Sequence, residues 1–180
     1  NNTINSNKDT GIRTAESSVV TITNNMINSN LHAGILLNNS SVATITNNTI
    51  VSNFYGIHIV NQSKVMAINN ISAFNKNSSI LASDKARFVK FEYNIADKAW
   101  NNDPGLDSWL SASNKIADPK FVERAVGNFL LQCDSPARNT GDPTILNPDG
   151  TRSNIGSYGG PGARGSFYCP KEPASNYRKK

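Results

Sequence analysis

The stretch NNMINSNLHAGILLNNSSVATIT, Asn24–Thr46, decides the reading of this chain, because its neighbours are imperfect copies of it. From Asn1 the chain reads NNTINSNKDTGIRTAESSVVTIT, and from Asn47 it reads NNTIVSNFYGIHIVNQSKVMAIN. A degenerate fourth unit starts at Asn70 with NISAFNKNSSILASDKARFVKFE, and Tyr93-Asn94-Ile95 opens a fifth. The period is 23: Ile22, Ile45, Ile68 and Phe91 are that far apart, and so are Val19, Val42, Val65 and Phe88. Gly34 and Gly56 are 22 apart, so slips are expected in turns. A fixed period of this size marks a solenoid.

Each unit carries three short apolar segments. The rows are Ile4, Ile27, Ile50 and Ile71; Ile12, Ile35, Ile57 and Ile80; and Ile22, Ile45, Ile68 and Phe91. Within them the alternation has period two, with Ile12/Thr14, Ile35/Leu37 and Ile57/Ile59 on one side. Val20/Ile22, Ala43/Ile45 and Met66/Ile68 are expected to behave likewise. The segments are too short, too β-branched and too broken by Asn, Ser and Gly for helices. Asn recurs in two columns, Asn2/Asn25/Asn48/Asn70 and Asn7/Asn30/Asn53/Asn75. Asn tolerates left-handed backbone at a corner, and stacked carboxamides bond to one another. A leucine-rich repeat has a similar period but needs Leu at fixed places, and here Leu is scarce. These features predict an all-β, right-handed parallel β-helix. It has about four 23-residue coils of three short strands each, closed by an irregular C-terminal cap.

Two regions follow. Residues 1–96 read as coils, the C-terminal part of a longer solenoid. Residues 97–180 read as an excursion loop with Trp100 and Trp109, the last coil or coils, and a cap with a basic tail. Phe121, Phe129, Leu131, Ile155 and Tyr158 are expected to cover the apolar end of the last coil. The formal charge is +5, but three basic residues are the tail Arg178, Lys179 and Lys180, and no basic stripe appears. No nucleic-acid partner is expected. No apolar run reaches the roughly 18 residues of a membrane span, so none is expected either. The only cysteines, Cys133 and Cys169, lack the partners of a metal pattern and are expected to form a disulfide in an oxidising compartment.

The repeat resembles the NosD/CASH type of carbohydrate-binding proteins and sugar hydrolases, a pectate-lyase-like group. The C-terminal part is similar to the ending of many secreted β-helix proteins. Its matches are Asp118-Pro119-Lys120-Phe121-Val122, Gly127-Asn128-Phe129-Leu130-Leu131, Ser135-Pro136-Ala137 with Gly141, and Asp149-Gly150 through Ile155-Gly156-Ser157-Tyr158-Gly159-Gly160. Asn139 and Asn154 stand where that pattern usually has Asp, which weakens an ion-binding role. The resemblance implies a secreted or cell-surface location and an association with polysaccharide.

The chemistry-bearing residues are sparse. Asp9 and Glu16 lie in the first unit and Asp84 and Glu92 in the fourth. At the strand spacing these pairs are about 14 Å apart, too far for a paired-carboxylate site. No catalytic residue is assigned. The outward positions after each Gly-Ile are Arg13, Leu36, His58 and Leu81. With His32, Phe54 and Tyr55 in one turn region, Arg13 and His58 form a candidate sugar-stacking patch. Thr21/Thr23 and Thr44/Thr46 form a two-coil array, read as cross-strand packing. Asn147, Asp149 and Asn154 alternate oxygen ligands around Gly150, which leaves a Ca²⁺ site and a structural turn both open. No other cofactor is expected. The functional expectation is a non-catalytic extracellular scaffold that binds polysaccharide or stacks through its N-terminal coil. The alternative is the tail of a polysaccharide lyase or glycoside hydrolase with its active site upstream.

Overall fold

A computed structural model describes residues 1–83, 85–98 and 111–163. Three parallel sheets wrap a thin column. The first contains β1 (Thr3–Asn5), β4 (Met26–Asn28), β7 (Thr49–Val51), β10 (Ile71–Ala73), β13 (Ile95–Ala96) and β14 (Lys115–Ile116). The second contains β2 (Ile12–Thr14), β5 (Ala33–Leu37), β8 (Tyr55–Ile59) and β11 (Ser78–Ala82). The third contains β3 (Val19–Thr23), β6 (Val42–Thr46), β9 (Lys64–Ile68) and β12 (Arg87–Glu92). Every third strand pairs with the one a coil later, so sequence repeats become spatial columns. The first sheet continues past residue 96, because β14 pairs with β13.

The column is filled by Ile27, Ile35, Leu37, Ile45, Ile50, Ile57, Ile59 and their neighbours, all essentially inaccessible. Each such side chain contributes about 1.5–3 kcal/mol by leaving water. Two of the expected rows are corrected by register. Ser72, not Ile71, stacks on Ile50, which turns Ile71 and Ala73 outward. Ala67, not Ile68, stacks between Ile45 and Phe91, and Met66 and Ile68 face outward. Val65 and Phe88 likewise continue Val20 and Ala43 rather than Val19 and Val42. The cause is a one-residue deletion at the corner before β8, where Ala33 pairs with Tyr55. In a strand, one residue of slip exchanges inside for outside. A bulge between Phe88 and Lys90 then adds a residue inside β12 itself, rather than in a turn.

Both Asn columns are continuous ladders. Asn48 Oδ1 accepts from Asn25 N (2.9 Å) and Asn25 Nδ2 (3.1 Å), and Asn48 Nδ2 donates to Ile22 O (2.8 Å) and Asn70 Oδ1 (3.1 Å). The first ladder runs on through Asn94 to Asn114. The second joins Asn7, Asn30, Asn53 and Asn75 in the same way. The left-handed conformation, expected at these Asn, belongs instead to the residue before each. Asn24, Asn47, Asn69 and Tyr93 have φ of 54–57°, and Ser6, Ser29, Ser52 and Phe74 have φ of 56–58°. The preceding residue turns the chain, which leaves the ladder Asn free to lay its carboxamide along the axis.

The irregular C-terminal segment packs laterally, on the outer face of the first sheet. β15 (Phe121–Glu123) and β16 (Asn128–Leu131) form an antiparallel pair joined by a 3-10 turn, Arg124–Val126. Phe121, Phe129, Leu131, Ala137 and Ile155 pack with Val51, Ile71, Ala73 and Ile95 in a second apolar cluster. Of the residues expected over the solenoid's end, Phe121, Phe129, Leu131 and Ile155 thus cover the outer face of the first sheet, and Tyr158 stays outside this cluster. That face turned apolar when the register slip put Ile71 and Ala73 outside. Beyond Ile155 the chain runs back along the coils as a strap. Gly156 N donates to Asn69 O (2.7 Å), Asn47 Nδ2 to Asn154 O (3.0 Å), Asn24 Nδ2 to Gly159 O (2.7 Å) and Asn1 Nδ2 to Gly162 O (2.8 Å). Each Asn-Asn doublet therefore divides its work: the second member builds the internal ladder, and the first holds the strap. Gly156 has φ of +95°, and a Cβ there would meet Ile71 Cδ1 at 2.7 Å.

Candidate functional site

The outward face of the second sheet gathers most of the expected patch. Arg13, Leu36, His58 and Leu81 form one column in register. One corner away, His32 N bonds to Asp9 O, Tyr55 N to His32 O, and Asn77 N to Phe54 O. This corner stacking carries the neighbouring rings onto the same face. Gly56 permits it, because a Cβ there would strike Ser72, Ser79 and Asn75.

Tyr55 is the hub. Its ring centroid is 4.8 Å from Phe54, 4.8 Å from His58 and 5.6 Å from His32, and the two histidines are 6.0 Å apart. All four rings are partly exposed. Lys76 Nζ stands 5.7 Å from the Phe54 centroid, in cation–π range. His32 Nδ1 is 3.1 Å from Thr10 Oγ1 and 3.7 Å from Asp9 Oδ1. The arrangement offers flat apolar faces with a polar rim, as stacking on a ring with hydroxyl edges requires. Arg13 shares the face, but Leu36 stands between it and His58, so Arg13 lies about 10 Å from the ring cluster at two strand spacings. Thr10 and Lys76 were not legible as members of this group. The 23-residue step from Asp9 to His32 and from Phe54 to Asn77 is the signal that finds the corner.

The other candidate oxygens serve the strap. Asn147 Oδ1 accepts from Asn154 N (3.2 Å) and Gly160 N (3.1 Å), while Asp149 Oδ1 accepts from Thr151 N (3.0 Å) and Thr151 Oγ1 (2.6 Å). Those bonds hold the Asp149 carboxyl below its ordinary range against a small opposing effect of burial. Asn154 Oδ1 accepts from Asn139 N (2.9 Å). Asn147 Oδ1, Asp149 Oδ1 and Asn154 Oδ1 thus all accept from backbone N–H groups of this segment. Among the described residues no three His, Cys, Asp or Glu side chains gather as a metal site. Glu92 pairs with Lys90 at 3.1 Å, and Asp84 lies outside the described residues. Cys133 follows β16 closely, and Cys169 lies outside the described residues, as do Trp100, Trp109 and the basic tail. Among the described residues no helix is long and apolar enough to cross a membrane.

Residues 1–72 match the family described as the right-handed β-helix region. No curated protein matches the chain, and no solved structure matches it. The match and the three parallel sheets with their register agree on the fold, a right-handed parallel β-helix.

Proposed function

We propose that this β-helix is an extracellular, non-catalytic scaffold that contacts polysaccharide through the ring cluster on its second sheet. The observation that carries the reading is the convergence of His32, Phe54, Tyr55 and His58 on one partly exposed face. Partly exposed rings in mutual contact present stacking area at little cost in side-chain entropy. The secreted location rests on the resemblance of the C-terminal motifs and on the proposed Cys133–Cys169 disulfide. A glycan array probed with the full chain tests the contact. Binding to at least one polysaccharide is expected, and Tyr55→Ala should abolish it while the chain stays folded by far-UV circular dichroism. Binding to no glycan, or undiminished binding by Tyr55→Ala, refutes the reading.

A further inference from the structure

The ring cluster sits between cations. The residue after each Asn of the second ladder forms one corner column, Lys8, Leu31, Phe54 and Lys76. Backbone bonds from Leu31 N to Asn7 O (3.0 Å) and from Lys76 N to Asn53 O (2.8 Å) keep it in order along the axis. At one strand spacing per coil the column runs about 14 Å, with an amine at each end and Leu31 and Phe54 between them. Leu31 is 71% exposed and Phe54 is half-buried. One coil further, Lys98 Nζ bonds to Asn75 O (2.7 Å) and Lys76 O (3.3 Å), and Arg13 stands on the adjoining face of the second sheet.

Lys8, Arg13 and Lys76 are exposed, and among the described residues none of their side chains has a hydrogen bond or an ion pair. Lys76 Nζ, 5.7 Å from the Phe54 centroid, brings an ammonium to the edge of the stacking surface. The neighbouring acids along this corner, Asp9 and Asp97, are engaged. Asp9 Oδ1 accepts from Thr10 Oγ1 (3.3 Å) and faces His32 Nδ1 (3.7 Å), and Asp97 Oδ1 accepts from Ser79 Oγ (3.2 Å). Given the ring cluster as a sugar contact, the reading proposed above on which this rests, we infer that its polysaccharide is anionic, bearing carboxylates or sulfate esters. The chain lies along the corner, parallel to the solenoid axis. A sugar ring rests against Leu31, Phe54 and Tyr55, and anionic groups on either side of it meet Lys8 and Lys76. A neutral chain uses the rings alone and leaves the amines to water, so the charge sets the preference.

Isothermal titration of the full chain with matched pairs tests the charge apart from the sugar contact. The pairs are hexaglucuronate with its methyl ester, and a carrageenan hexasaccharide with its desulfated form; hexaglutamate supplies charge without sugar. At least one acidic saccharide should bind, at least about tenfold more tightly than its neutral partner, and Tyr55→Ala should abolish that binding. Raising NaCl from about 0.01 M to about 1 M, which shortens the Debye length from about 30 Å to about 3 Å, should weaken it about tenfold or more. Lys8→Gln and Lys76→Gln should each weaken it about threefold, and together about tenfold. If a neutral partner binds as tightly, and Tyr55→Ala abolishes it, the anionic ligand is overturned while the sugar contact stands. Binding of no saccharide removes both. Hexaglutamate bound as tightly as the acidic saccharide also overturns the anionic polysaccharide. So does parent-like binding by the Lys8→Gln/Lys76→Gln double variant, folded by far-UV circular dichroism.

Discussion

Replacing Asn48 by Ala isolates the work of the internal ladder. Asn48 is fully buried and holds five hydrogen bonds through its side chain. Thr46 O keeps a second donor, Asn24 N at 3.2 Å, and Asn70 Oδ1 keeps Asn48 N at 2.9 Å. Asn25 N keeps no other partner recorded among the described residues, and the bond it loses is buried, whereas Ile22 O remains a backbone acceptor in the β3–β6 ladder. A buried polar group stripped of its partner costs about 1–3 kcal/mol. Loss of the Asn25 Nδ2 bond and the small void add to that. Against the roughly 5–15 kcal/mol of an ordinary domain, this is a large share. Urea unfolding followed by far-UV circular dichroism should show a much lower midpoint, and amide exchange at Asn25 should quicken most. Asn77→Ala is the control, since Asn77 is exposed, lies outside the left-handed region and makes no side-chain hydrogen bond among the described residues. A loss below about 1 kcal/mol for Asn48→Ala, or an equal loss for both variants, refutes the claim that the ladder satisfies the corner backbone.

Gly156→Ala should release the strap, because its φ of +95° and the approach of Ile71 Cδ1 both exclude a Cβ; limited proteolysis should then cut residues 117–163 while the coils survive. Ala67→Leu should destabilise by about 1–3 kcal/mol through overpacking beneath Phe91, read from the urea midpoint. Burial works against the charge of Asp142, but hydrogen bonds from Thr144 and the nearby Lys90 and Arg152 outweigh it and hold its carboxyl below the ordinary range. The unfolded chain then takes up the proton first, so this contribution is intact above about pH 4 and disappears as pH falls through the lower folded value. Asp142→Asn should flatten that acid limb of the stability–pH curve.

Much of the solenoid was legible because period-23 identity in a parallel stack is the same thing as contact. The Asn columns needed no coordinates: Asn2, Asn25, Asn48 and Asn70 bond in the order their spacing predicts. The outward column of Arg13, Leu36, His58 and Leu81 was legible for the same reason. The rows containing Ile68 and Ile71 were not. At β9 either parity places an aliphatic residue inward, Ala67 or Ile68, and at β10 the aliphatic parity of Ile71 and Ala73 is the one that faces outward, so only the corner deletion before β8 and the register at β10 decide.

The amino-acid sequence by itself determined the coil, its ladders and the face on which His32, Phe54, Tyr55 and His58 meet, since all of these follow from local repetition. Tertiary structure alone decided where the C-terminal segment goes. Its contacts join residues more than a hundred positions apart, as between Asn47 and Asn154, and no period relates them. The apolar outer face that receives it exists only after the register slip has turned Ile71 and Ala73 outward.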